Sequence, residues 1–242
     1  MQNSTPHVEA LFFDVFGTVV DWRTSVIREL DEFGRSRGLT KDWAAFADRW
    51  RGKYQPAMEE VRAGRRPFTI LDTLHRESLL QVLDEFLIRR PGEAELQHLT
   101  TAWHRLDPWP DSVSGLYRLR QRFFICPLSN GNVALLARLS KRAGLPWDLI
   151  LCAETAQAYK PKPEAYLRNA ALLALQPQAC MLVAAHNSDL AAARAVGFRT
   201  AFVLRPNEHG PAQRTDLRAE QNWDVTANSF EDLADQLHCP TH

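Results

Sequence analysis

Val8-Glu9-Ala10-Leu11-Phe12-Phe13-Asp14-Val15-Phe16-Gly17-Thr18 is the stretch on which the reading of this chain turns. Val8–Phe13 is a short apolar run that stops at an aspartate, and a Gly-Thr pair follows. Four similar runs lie downstream: Phe123–Leu128, Leu149–Ala153, Cys180–Ala185 and Thr200–Leu204. Short apolar runs without strict alternation suit a parallel sheet buried on both faces. Helical periodicity fills the intervals. Ser112–Arg122 places Val113, Leu116 and Leu119 on one face, and Val133–Ala143 does so with Leu136 and Leu139 before stopping at Gly144. Leu190–Val196 stops at Gly197. Strand alternating with helix predicts right-handed crossovers and a doubly wound α/β sheet.

One interval breaks the alternation. About 110 residues separate the first run from the second, and they carry helical periodicity with no strong strand. Thr24–Gly38, Lys41–Lys53, Thr69–Arg90 and Glu93–Leu106 read as helices, broken at Arg90-Pro91-Gly92 and closed by Asp107-Pro108-Trp109-Pro110. That is too much helix for a simple crossover. The sequence therefore predicts an α/β core of residues 1–20 and 108–242, with residues 21–107 inserted as a helical cap over the C-terminal edge of the sheet.

The 242 residues suit such a core and insert. Hydrophobic residues at 45% and charged residues at 24% exclude wholesale disorder. Lys plus Arg and Asp plus Glu both number 29, so there is no basic excess for broad nucleic-acid or anionic-membrane binding. No stretch approaches the roughly 18 apolar residues that span a bilayer. Met1–Ala10 lacks the layout of a signal peptide, so a cytoplasmic protein is expected. Cys126, Cys152, Cys180 and Cys239 form no C-x-x-C pair, and three of them sit in apolar runs as small hydrophobes.

In open α/β sheets ligands bind beyond the carboxyl ends of the strands. That rule selects Asp14–Thr18, Ser129-Asn130-Gly131-Asn132, Ala158-Tyr159-Lys160-Pro161 and His186-Asn187-Ser188-Asp189. Asp14 is a nucleophile, a metal ligand or a turn residue. Ser129-Asn130-Gly131 is a plain strand-to-helix turn with an N-cap, or an anion site made of backbone N–H groups. Lys160 alone reads as a solvated loop lysine, and Asp189 alone as the N-cap of the helix from Leu190. Together, each at the end of an apolar run, the four loops build one polar pocket.

These four segments resemble the motifs of the haloacid dehalogenase superfamily, and the likeness covers nearly the whole chain. Phe13-Asp14-Val15-Phe16-Gly17-Thr18 resembles motif I, with Asp14 as nucleophile and Thr18 beside it. Leu128-Ser129-Asn130-Gly131 resembles motif II, Tyr159-Lys160-Pro161 motif III, and Ala185-His186-Asn187-Ser188-Asp189 motif IV. The resemblance implies a Rossmann-like core with a helical cap. Phosphatases of the superfamily carry a second aspartate two residues after the nucleophile, which protonates a leaving alkoxide. Here that position is Phe16, and motif IV offers one acid, Asp189, where Mg²⁺ sites commonly use a pair. A halide leaves without a proton and without a metal.

The chain is therefore most similar to type II 2-haloacid dehalogenases. Their aromatic-Gly-Thr motif matches Phe16-Gly17-Thr18, and their cap arginine matches Arg51 within Trp50-Arg51-Gly52-Lys53. Their motif III tyrosine matches Tyr166, six residues after Lys160. Ser188 replaces a tryptophan common in relatives, and Ala185-His186-Asn187 replaces a Ser-Asn-Ala found in some.

The resemblance implies that Asp14 attacks C2 of a short-chain (S)-2-haloacid, such as a haloacetate or 2-halopropionate, and forms an ester that water opens to a 2-hydroxy acid. Lys160 keeps Asp14 ionised, Ser129 and the N–H groups after it hold the substrate carboxylate, and Arg51 and Asn130 receive the halide. Asp189 is the expected acid/base group for water, aided by Lys160 or His186. Phe16, Tyr166, His186 and Asn187 complete the expected binding set. No metal or cofactor is expected, and a homodimer is. The alternatives are an atypical phosphatase or a strained 2-carboxylate ring hydrolase of the same fold, or a binding protein that kept it. Mg²⁺-dependent phosphate release selects the first of these; metal-independent halide release selects the dehalogenase.

Overall fold

The computed structural model describes residues 8–241, so residues 1–7 and 242 of the expected core segments lie outside the described residues. The chain begins with β1 (Ala10–Phe13) and β2 (Val20–Asp21). A helical insert follows: α1 (Trp22–Ser36), α2 (Trp43–Gly52), α3 (Tyr54–Arg62), α4 (Leu71–Glu85), α5 (Glu93–Thr100) and a 3-10 turn (Thr101–His104). It returns through β3 (Asp107–Pro108), which pairs antiparallel with β2. Then come α6 (Ser112–Arg120), β4 (Phe124–Ser129), α7 (Val133–Ala143), β5 (Leu151–Cys152), α8 (Ala153–Ala156) and α9 (Pro163–Leu172). A second 3-10 turn (Pro177–Ala179) leads to β6 (Cys180–Ala184), α10 (Asn187–Ala195), β7 (Arg199–Val203), β8 (Val225–Ala227) and α11 (Phe230–Gln236).

Six strands form one sheet in the order β5-β4-β1-β6-β7-β8, every neighbouring pair parallel. The chain leaves β1 for β4 on one side and later places β6 on the other. The point where strand order reverses therefore lies beside β1, where such sheets open a crevice. Register puts Phe13 level with Pro127 of β4 and Val183 of β6, so Asp14 emerges between two strand ends. Alternation along β1 serves both faces: Leu11 and Phe13 join one apolar cluster, and Ala10 and Phe12 the other.

The insert shares the first of these clusters. Trp22, Trp50 and Trp103 are almost wholly buried; Trp22 and Trp50 pack on Trp103, which meets Phe16, just past β1, edge to face. Asp21 and Asp42 cap α1 and α2 by accepting the Thr24 and Ala45 N–H groups at 3.0 and 2.8 Å. Among the described residues no helix is long and apolar enough to cross a membrane.

The five predicted strands are present, with shifted ends. Leu149–Ala153 shrinks to two residues because Ala153 already begins α8. Four helices, α3, α8, α9 and α11, and three short strands, β2, β3 and β8, escaped the sequence reading. In α3 and α9, Pro56 and Pro163 look like breakers but fall in first turns, where no N–H is needed. β8 is a three-residue edge strand and α11 has seven residues, both too short for a periodic signal.

Candidate active site

Asp14 follows β1 directly, and its N–H continues the ladder to Val183 O at 3.0 Å. Its side chain is largely buried, 11% exposed. Thr18 Oγ1 donates to Asp14 Oδ2 at 2.7 Å and accepts the Ala185 N–H at 2.9 Å, tying the loop to the end of β6. Lys160 Nζ donates to Asp14 Oδ1 at 2.9 Å and also to Asp189 Oδ2, so one ammonium bridges two carboxylates. Tyr166 donates its hydroxyl to Asp189 Oδ1 at 2.6 Å. His186 Nδ1 lies 3.1 Å from Asp14 Oδ2, and its Nε2 lies 2.8 Å from Glu208 Oε2.

Burial by itself raises the Asp14 pKa, but Lys160, then His186 and Thr18, outweigh it and hold this carboxyl well below the usual carboxylate range. Burial likewise opposes the charge on Lys160 and His186. Asp14 and Asp189 nevertheless raise Lys160, and Glu208 and Asp14 raise His186 well above an ordinary histidine. At neutral pH the site thus holds an ionised Asp14 flanked by two cations.

Glu208 was not found from the sequence. It is 1% exposed, in the stretch between β7 and β8 that carries no motif, and it also accepts from Trp22 Nε1 at 3.1 Å. One signal did exist in the sequence. Gly17 adopts φ +89°, and a Cβ there would lie 2.1 Å from the Glu208 carboxyl carbon. The glycine both turns the loop and leaves room for the acid.

Arg51, at the end of α2, approaches from the insert. Its Cζ lies 4.1 Å from the Tyr54 ring centroid, 5.3 Å from Trp22 and 5.8 Å from Phe16. Its Nη1 is buried without a hydrogen-bond partner. Among the described residues the guanidinium pairs with no carboxylate. Tyr54 too was missed, lying just past the predicted helix end at Lys53.

A cavity of about 810 Å³ brings Asp14, Phe16, Arg51, Asn130, Lys160, His186 and Asp189 onto one wall system. Asn130 Oδ1 accepts the Lys160 backbone N–H at 2.8 Å, and its amide lies beside the Tyr54 hydroxyl at the cavity wall. Thr18, Ser129 and Tyr166 stand behind the lining, and Ser129 Oγ accepts the Gly131 N–H at 3.0 Å. Asn187, expected in the binding set, is not among the residues that line the cavity. Its Nδ2 donates to Asp216 Oδ1 and Arg218 O, and its Oδ1 accepts from Glu220 N and Trp223 Nε1. With every amide valence used, Asn187 staples the loop before β8 and has nothing left for a ligand. Asp189 likewise is not an N-cap; it sits in the first turn of α10, and His186 precedes that helix.

The arrangement can deliver a carboxylate oxygen to an electrophile and receive an anion on the far side. The family profile described as haloacid dehalogenase-like hydrolase matches residues 8–197. The crystal structure of a defluorinating L-2-haloacid dehalogenase is 50% identical, covers 96% of both chains and superposes with a TM-score of 0.94. A second L-2-haloacid dehalogenase structure is 49% identical, covers 96% of this chain and 99% of its own, with a TM-score of 0.93. The (S)-2-haloacid dehalogenase 4A of Burkholderia cepacia is 28% identical over 236 residues, 94% of this chain and 98% of that protein. The chain belongs to the haloacid dehalogenase-like hydrolase family.

Proposed function

We propose that this protein hydrolyses short-chain (S)-2-haloacids to 2-hydroxy acids through an ester on Asp14. The observation that carries the reading is a carboxylate held ionised in the same cavity as a buried guanidinium that, among the described residues, forms no ion pair. An electron pair on Asp14 attacks C2 from behind, the carbon–halogen bond breaks, and its electrons leave with the halide. Arg51 and the Asn130 amide receive that charge as it develops. The substrate carboxylate goes to the β4–α7 loop, where Asn130 lines the cavity and Ser129 keeps an undonated hydroxyl proton. Phe16 supplies an apolar wall.

Ester formation removes the charge of Asp14, one of the two anions that raise His186. The imidazolium then sheds its proton more readily, and His186, backed by Glu208, accepts a proton from the attacking water. Water adds to Cγ of Asp14, the His186 imidazolium returns that proton to the departing oxygen as the Cγ–O ester bond breaks, and the hydroxy acid leaves with an Asp14 oxygen while the second water proton passes from the Asp14 carboxyl back to His186. This reading moves the water-activating role from Asp189 to His186, because both Asp189 oxygens already accept from Lys160 and Tyr166. Asp189 and Tyr166 instead orient Lys160.

A divalent cation has no place in this scheme. The Lys160 ammonium sits between the two carboxylates such an ion would bridge, and Phe16 offers no proton to an alkoxide. Residues 21–107 act as a cap over the core of residues 1–20 and 108–242, a division supported by the β2–β3 ribbon at its neck. The enzyme works in the cytoplasm, where its four buried, free thiols stay reduced, and as a homodimer, which sedimentation tests. The test of function is halide release from chloroacetate and (S)-2-chloropropionate in EDTA, with Asp14→Asn as the inactive control. Activity that needs Mg²⁺ and releases phosphate would overturn the reading.

A further inference from the structure

The burial of Arg51 raises a physical problem. A long, flexible cation must be fixed in place, yet the usual fixing partner, a carboxylate, would cancel the charge that an anion needs. The structure assigns the solution to Tyr54: we infer that it is a positioning residue, whose ring face holds the Arg51 guanidinium in place without neutralising it.

Tyr54 opens α3, immediately after α2 ends, so it and Arg51 flank the same break in the insert. Its ring is the nearest of the three around Arg51, at 4.1 Å, and meets Phe16 edge to face at 89°. It is 7% exposed and lines the cavity. Behind it lies His75, 2% exposed, stacked on Trp103 at 4.4 Å with neither ring nitrogen bonded. Burial pushes that imidazole down to about 3, so His75 stays neutral behind the ring. A π face attracts a guanidinium through its quadrupole and carries no net charge. The full positive charge therefore remains available to an arriving anion, already oriented.

This inference rests on the dehalogenase reading, and the experiment separates the two. Chloroacetate turnover and inhibition by bromide are measured for wild type, Tyr54→Phe and Tyr54→Leu, with folding checked by circular dichroism. Ring-fluorinated phenylalanines at position 54 keep the shape while weakening the negative face. Tyr54→Phe should stay within about threefold of wild type, whereas Tyr54→Leu should lose about tenfold to thirtyfold in kcat with KM little changed. Bromide inhibition should weaken in step, and graded fluorination should give graded loss. A folded Tyr54→Leu with wild-type kcat and bromide inhibition would overturn the inference, as would fluorination without effect. Wild type that releases no halide and binds none would instead overturn the dehalogenase reading itself.

Discussion

Replacing Glu208 by glutamine separates the two half-reactions. Glutamine keeps the shape and can still accept from Trp22 Nε1, but it removes the negative charge 2.8 Å from His186 Nε2. Two unit charges about 4 Å apart at an effective dielectric of ~20 interact by ~4 kcal/mol. His186 side-chain exposure of 21% calls for a discount, leaving ~3 kcal/mol for the imidazolium that forms as water gives up its proton. At about 1.4 kcal/mol per tenfold, hydrolysis of the ester should slow by roughly 10². Alkylation of Asp14 does not use Glu208 directly and should stay within about tenfold. Rapid-quench measurement on chloroacetate should then show a stoichiometric burst of chloride followed by slow turnover. Intact-mass spectrometry should find the protein heavier by one carboxymethyl group. A folded Glu208→Gln with near wild-type kcat and no accumulated adduct would refute the His186–Glu208 assignment.

Three further outcomes follow from the geometry. Arg51→Ala should lower kcat on chloroacetate by roughly 10²–10³ with a smaller change in KM, and Arg51→Lys should recover little, as steady-state kinetics will test. Gly17→Ala should lose both stability and hydrolysis, because φ +89° costs an alanine about 1–2 kcal/mol and its methyl displaces Glu208; urea melts and ester accumulation report each effect. Stability should fall at alkaline pH. His186 is raised in the folded state against about 6.5 unfolded, so its contribution is full below that value and lost as pH climbs through its folded pKa. His186→Gln should flatten the difference between urea midpoints measured at about pH 6 and pH 9.

Much of this architecture was legible because a few short signals are unambiguous. Strands covered on both faces favour apolar runs: β1 and β6 are apolar throughout, and β4 and β7 carry apolar stretches at Phe124–Leu128 and Ala201–Val203. Asp14, Lys160, Asn130 and Asp189 could be placed because each lies just beyond a strand or in a loop of fixed spacing. Glu208 and Tyr54 could not. Glu208 reaches the site from a long irregular stretch with no periodicity, and its only trace is a glycine elsewhere in the chain. Tyr54 matters through its ring face, and a tyrosine on a helix reads first as packing. Asn187 shows the opposite case: a motif neighbour of His186, it opens α10 and spends its amide on the loop before β8. Residue type and neighbourhood show that a side chain is polar and near, whereas only the backbone direction decides which way it points.

The central claim is that Asp14 itself bonds to carbon and is then hydrolysed at Cγ. A single turnover in heavy-oxygen water, with enzyme in excess over chloroacetate, tests it most directly. The hydroxyl oxygen of the first product should be ordinary oxygen from Asp14, and the heavy isotope should appear in the peptide carrying Asp14. Heavy oxygen in the first product, with none in that peptide, would mean that water attacks the substrate carbon directly and that Asp14 forms no ester.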